Sequence, residues 1–292
     1  FIAGSDGVGV DYFLNETLNA GDILDFAIAP NGIDSFDTTV FSASITMTTP
    51  LPSSGPMVAL IASAASGQPG VTPGGYVSIY GSNFAPAGFV DDWGKSVVNG
   101  QLPTTLDGVS VTIGGQPAYV EAVTASQINV LAPSLDSGPV QVAVTTSAGT
   151  SPFFSSTSTT LEPAFFAWPA SQVVATHLDY SYAVANGTFS FGTTPSKRGD
   201  TIVMWATGFG PTSPAAPSGQ VTPANLYSVN GVGVAIGGQP AQVVSTALTP
   251  GLAGVYQVAI QIPANLPDGD YEVVATVNGI SSLASVLISV RR

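Results

Sequence analysis

The chain has 292 residues, enough for two or three domains of ordinary size, and it carries 18 acidic residues against five basic ones for a net charge of −13. Nucleic-acid binding needs a basic footprint to neutralise phosphates, so that balance excludes it and disfavours attachment to an anionic membrane surface. Cysteine is absent, which excludes disulfides and thiolate chemistry, and no apolar run approaches the ~20 residues of a membrane-spanning helix.

The residue supply suits strands and turns. The chain is 45% apolar and only 8% charged, with 33 glycines and 23 prolines. Thr and Val fit pleated surfaces, and Gly and Pro punctuate them. The expected fold class is all-β. Low charge with abundant Ser, Thr, Gly and Pro points to a secreted or cell-surface protein. The opening Phe1 reads as the start of a processed or excised piece.

In chain order, residues 1–49 come first. Three strands fit there, near 8–18, 22–29 and 38–48, whereas a jelly-roll sandwich needs about eight. The segment is acidic (Asp6, Asp11, Glu16, Asp22, Asp25, Asp34, Asp37) and has no Lys or Arg. Asp22, Asp25, Asn31, Asp34 and Asp37 offer hard oxygen ligands of the kind calcium takes, although the spacing is not that of an EF-hand. A solvated acidic turn is the competing reading. GDILDFAIAPNGIDSFDTTVFSASITM resembles the closing strands of a jelly-roll, carbohydrate-binding-like sandwich. Two explanations of so short a piece stay open. It is the remnant of a truncated domain, or strands of another subunit complete it, a head-to-tail contact that generates a homopolymeric filament when it does not close.

Residues 50–56 (PLPSSGP) read as a Pro-rich linker. A duplicated unit follows. GGYVSIYGSNFAP at 74–86 aligns with GDTIVMWATGFGP at 199–211, and VTIGGQPAYV at 111–120 with VAIGGQPAQV at 234–243. Within the copies Val109, Val111 and Ile113 alternate with Ser110 and Thr112, as do Val140, Val142 and Val144 with Gln141 and Ala143. This period of two marks strands with one buried face, and Gly114-Gly115 supplies a tight turn between two of them. The predicted units are an Ig-like sandwich over 57–162, a connector over 163–195 and a second Ig-like sandwich over 196–292. The connector aromatics Phe165, Phe166, Trp168, Tyr180 and Tyr182 are expected to pack between the sandwiches.

These motifs resemble, in order, an uncharacterised C-terminal domain family of exported acidobacterial proteins, and each repeat is similar to the IPT/TIG type of immunoglobulin-like domain. The resemblance implies a bacterial protein, an extracellular setting and no established activity.

Catalytic constellations are not evident. His177 is the single histidine, and neither Gly-x-Ser-x-Gly nor Ser-x-x-Lys occurs. The carboxylates sit mostly in turns such as Asp107-Gly108 and Asp268-Gly269 rather than in an acid/base pair. Phe89 and Trp93, in the long loop 87–106 whose motif has no counterpart in the second copy, are candidate glycan contacts, with Asp91-Asp92 beside them. A loop tucked on its own domain is the competing reading. No cofactor is expected apart from calcium. The sequence therefore reads as a non-catalytic extracellular structural or adhesive protein of Ig-like modules, with filament assembly by strand completion as one of the two open explanations of residues 1–49. The alternative is a polysaccharide-binding module of a larger secreted protein.

Overall fold

The computed structural model describes residues 55–292. The three N-terminal strands and the calcium reading at Asp22, Asp25, Asn31, Asp34 and Asp37 lie outside the described residues. Residues 51–292 form one compact unit.

The first sandwich contains β1 (Met57–Ser63), β2 (Tyr76–Ser82), β3 (Val90–Asp92), β4 (Thr105–Leu106), β5 (Val109–Ile113), β6 (Gln116–Pro117), β7 (Tyr119–Thr124), β8 (Gln127–Leu131), β9 (Gly138–Thr146), β10 (Gly149–Thr150) and β11 (Phe154–Ser158). One sheet runs β1-β2-β8-β7-β3. The other runs β10-β9-β5-β4, with β11 also on β9 and β6 on β5. The period-two stretches are strands as expected. Val109, Val111 and Ile113 point inward from β5, and Val142 and Val144 from β9, to meet Ile79, Val120, Ile128 and Val130 of the opposite sheet. Burial of these aliphatic side chains, each worth about 1.5–3 kcal/mol, drives the two layers together.

The second sandwich contains β12 (Ala164–Phe165), β13 (Ala167–Trp168), β14 (Gln172–Val173), β15 (Ala175–His177), β16 (Thr201–Thr207), β17 (Val232–Ile236), β18 (Gln239–Leu248), β19 (Tyr256–Gln261), β20 (Gly269–Val277), β21 (Ile280–Ser281) and β22 (Leu287–Val290). Its two layers are linked through β18, which pairs with β17 over Gln239–Ala241 and with β19 over Gln242–Leu248. In the first sandwich the corresponding path is broken into β6 and β7. The IGGQPA hairpin has one conformation in both copies. Gly114 and Gly115 have φ of 59° and 77°, and Gly237 and Gly238 have 55° and 76°. Both central residues of such a primed turn lie in the left-handed region, which side chains on L-residues resist.

One difference from the sequence reading concerns residues 163–195. They do not simply bridge the sandwiches, because they supply β12–β15. Both β12 and β15 pair with β16, and Gln172 of β14 pairs in parallel with Leu287 of β22. The edge strand that is continuous as β1 in the first copy is here split by an excursion through Pro169, whose missing N–H interrupts a ladder.

Ile260 is completely buried in the second core. Ile260→Ala is expected to cost about 2–5 kcal/mol, read as a lower urea midpoint for the second sandwich. A loss below about 0.5 kcal/mol would contradict the packing described, since only exposed positions behave that way.

Candidate functional site

Two features stand out from the sandwich framework: the joint between the two copies and an aromatic loop on the second. The joint is short. Only Thr159–Pro163 separates β11 from β12, and its backbone is fixed at both ends, with the Thr159 N–H on the Val71 carbonyl (2.9 Å) and the Glu162 N–H on the Gly208 carbonyl (3.0 Å). The Thr207 hydroxyl accepts the Tyr76 N–H and donates to the Gly254 carbonyl, both at 3.1 Å. The long loop of the first copy forms an antiparallel bridge at Gln101 with Gln220 of the second. Around it the Leu102 N–H reaches the Gly219 carbonyl (2.9 Å) and the Val221 N–H the Gly100 carbonyl (2.8 Å).

An apolar plug fills the joint. Leu102, Leu131 and Ala253 are buried together, with Tyr76, Trp93, Val97, Tyr119 and Val221 packed against them. The Trp93 ring stands edge-on to Tyr76 at 6.3 Å, and Phe166 approaches the other side of Tyr76 at 6.1 Å. Gly254 lets this happen. Its φ is +64°, and a Cβ there would meet the Leu131 side chain and the Gly74 carbonyl at 2.1 and 2.9 Å.

Trp93 is thus half-buried in the joint, and Phe89 is half-buried against the first core. That packing accounts for both side chains. The connector aromatics divide. Phe166 reaches the first sandwich, whereas Phe165 packs on Phe209 inside the second core at 6.0 Å. Trp168, Tyr182 and Phe189 form their own cluster on the second sandwich, with ring centroids 4.9–5.3 Å apart. Packing between the sandwiches therefore falls to Phe166 alone of the five. The others ride on strands and a loop that belong to the second copy.

That loop, residues 178–200 between β15 and β16, has 23 residues where the first copy uses 12, at 64–75, between β1 and β2. It is ordered by its own backbone. The Tyr182 N–H meets the Gly192 carbonyl, the Thr194 N–H the Tyr182 carbonyl and the Ala183 N–H the Ala175 carbonyl. A ring nitrogen of His177 lies 3.0 Å from the Thr194 carbonyl. Asp179 holds the turn by accepting the Ser181 hydroxyl (2.6 Å) and N–H (3.0 Å), which keeps its carboxyl below the usual range. From this frame Leu178, Tyr180 and Phe191 project into solvent, 67%, 83% and 71% exposed.

Among the described residues, Asp91 and Asp107 share a side-chain hydrogen bond at the surface, which lowers the pKa of Asp91 and raises that of Asp107. Burial raises Glu162, a tendency opposed by the Ser66 hydroxyl donating to it at 2.6 Å. Glu162 borders an open cleft of about 270 Å³ whose walls include Ser66 and Gln68 of the first sandwich and Ser282 and Leu283 of the second. Among the described residues no three His, Asp or Glu side chains gather in a way that could hold a metal ion, and no helix is long and apolar enough to cross a membrane.

Residues 65–162 match the IPT/TIG domain family. No curated protein matches the chain in sequence. Similar solved structures include a gamma-CGTase from an alkalophilic Bacillus clarkii, with 15% identity, TM-score 0.26, and coverage of 79% of this chain and 25% of that one. The SGBP-B protein of the Bacteroides ovatus mixed-linkage glucan utilization locus, solved with a mixed-linkage heptasaccharide, has 12% identity and TM-score 0.29, with coverage of 76% and 42%. Domains 5–6 of the S-layer protein SbsC have 14% identity and TM-score 0.24, with coverage of 80% and 98%. The chain thus spans less than half the length of the first two, and at such scores no functional argument follows.

Two outcomes test the joint. Gly254→Val places branched carbon against Leu131 and Gly74, so it is expected to lower the unfolding midpoint and to split a single calorimetric transition into two. An unchanged thermogram would contradict the close approach. For Glu162, a raised folded pKa means stability present at low pH and lost as pH rises through that pKa. Glu162→Gln should therefore change stability little near about pH 4 and raise it towards neutrality, relative to the unmodified chain. A gain confined to acid pH would reverse that assignment.

Proposed function

We propose that the chain is a non-catalytic structural module of a secreted or cell-surface protein, in which two Ig-like sandwiches act as one rigid spacer. The joint is the observation that carries this reading. A five-residue tether, two backbone hydrogen bonds between loops and a plug of aliphatic and aromatic side chains leave the copies little freedom. Tandem domains with small polar interfaces move by default, whereas a packed apolar interface resists such motion. The IPT/TIG match over the first copy supports an Ig-like module, and among the described residues the carboxylate pair Asp91 and Asp107 lies at the surface of a loop. Export is favoured by low charge and strand-rich composition. Self-assembly through residues 1–49, with calcium at Asp22, Asp25, Asn31, Asp34 and Asp37, is the further form of the proposal, and polysaccharide recognition is its alternative.

Limited proteolysis with a broad-specificity enzyme tests the spacer. Thr159–Pro163 should resist cleavage as long as either sandwich stays folded, and early release of two separate sandwiches would overturn the reading. Light scattering and negative-stain imaging of the full chain, with and without EDTA, test assembly. Polymers that EDTA dissolves would support both strand completion and calcium, polymers that survive EDTA would support strand completion alone, and a monodisperse monomer would sink the filament.

A further inference from the structure

We propose that the loop 178–196 of the second sandwich, together with Trp168, is a binding site for a neutral polysaccharide. Four independent observations converge on it. The first is exposure: of the thirteen large apolar side chains exposed among the described residues, Leu178, Tyr180 and Phe191 are on this one loop. Clustered exposure of this kind marks a binding surface, whereas single exposed apolar residues need no explanation.

The second is backbone strain. Tyr180 holds φ of 67°, the left-handed region that bulky residues avoid, and does so as the most exposed large apolar residue of the described chain. The turn is fixed by the Tyr180 N–H on the His177 carbonyl (3.0 Å) and the His177 N–H on the Ser181 carbonyl (2.9 Å). Strain of about 1–3 kcal/mol held by surrounding hydrogen bonds, and spent on displaying a ring rather than burying it, is typical of a ligand clamp.

The third is support. On the same loop and on β13, Trp168, Tyr182 and Phe189 lock one another in steeply inclined ring contacts, with interplanar angles of 57–84°. The site is thus ordered before any ligand arrives, which spares the cost of ordering on binding. The fourth is the comparison the duplication provides. The first copy closes the same connection in 12 residues and folds as the same sandwich, so the fold does not need the longer loop.

The chemistry of the loop selects the ligand. Sugar rings present an apolar C–H face that lies on an aromatic ring and a rim of hydroxyls that needs donors and acceptors. The loop interleaves its aromatics with Ser181, Asn186, Thr188, Ser190 and Thr193. Asp179 is its single charged residue, and its carboxylate is already engaged by Ser181. Lys197 and Arg198 close the connection to β16, and Arg198 is already paired with Asp268, so the aromatic stretch itself offers an acidic glycan no counter-charge, which favours a neutral one. This site stands apart from the spacer reading, because its failure would leave the joint untouched.

Affinity electrophoresis of the full chain tests the proposal, in gels containing hydroxyethyl cellulose, arabinoxylan or soluble starch, with polygalacturonate as the acidic comparison. At least one neutral glycan should retard the protein and polygalacturonate should not. Tyr180→Ala combined with Phe191→Ala should weaken retardation about tenfold or more, as loss of aromatic anchors does, with an unchanged melting curve because both side chains are exposed. Phe153→Ala, equally exposed on the first sandwich, should leave retardation unaltered. No retardation by any neutral glycan would overturn the proposal, as would retardation by polygalacturonate alone or retardation that the double variant preserves. Self-association that the double variant abolishes, without glycan retention, would overturn it in favour of a protein-binding face.

Discussion

The hydroxyl of Thr207 is where the two halves of the molecule become one. It is 1% exposed, sits at the end of β16, accepts the N–H of Tyr76 at the start of β2, and donates to the carbonyl of Gly254. Without it the Tyr76 N–H would lie unpaired beside a buried ring, at a cost of about 1–3 kcal/mol. Satisfying that donor from the neighbouring sandwich ties β2 of one core to the last turn before β19 of the other. Tyr76 is then held so that Trp93 and Phe166 close on either side of it. Ser82 occupies the position in the first copy that corresponds to Thr207, and it is exposed. One member of a duplicated pair of hydroxyls has become a joint while the other remains surface.

The same division runs through the loops. Both copies keep the IGGQPA hairpin and an aliphatic core, the parts a sandwich needs to fold. Between the repeated motifs each copy carries a long loop, 87–110 in the first and 212–233 in the second, and the two meet in the joint, where the first contributes Trp93, Val97 and Leu102. The second copy adds residues 178–200, which carry aromatics outward. Loops on a rigid sandwich are where such modules acquire their tasks. The loops that meet in the joint make the scaffold stiff, and the added one gives it a surface with which to hold something.

Much of this was legible from residues alone. Period-two patterns placed β5 and β9, and paired glycines placed their hairpins, because those signals are local and each residue carries its own meaning. The joint was not legible. Gly254 reads as an ordinary turn residue until Leu131, far away in sequence, is seen against its α-carbon. Trp93 reads as a free aromatic on a long loop, and only the fold shows Tyr76 beneath it. The strands β12–β15 escaped because two- and three-residue pieces broken by Pro169 show no periodicity. Trp168, Tyr180 and Tyr182 read as packing between the sandwiches, since aromatic residues between two domains ordinarily do so, and Phe189 and Phe191 carry no local signal of their own. The length of their loop relative to its counterpart in the first copy was the signal that could have found them.

The central claim is that the two sandwiches move as one body, and the absence of cysteine makes it directly measurable. Spin labels introduced at Thr112→Cys in the first sandwich and Glu272→Cys in the second, both exposed strand positions, report the distance between the copies by pulsed electron resonance. The account predicts one narrow distance distribution that broadens in Gly254→Val. A broad distribution in the unmodified joint would contradict it and return the chain to two beads on a string.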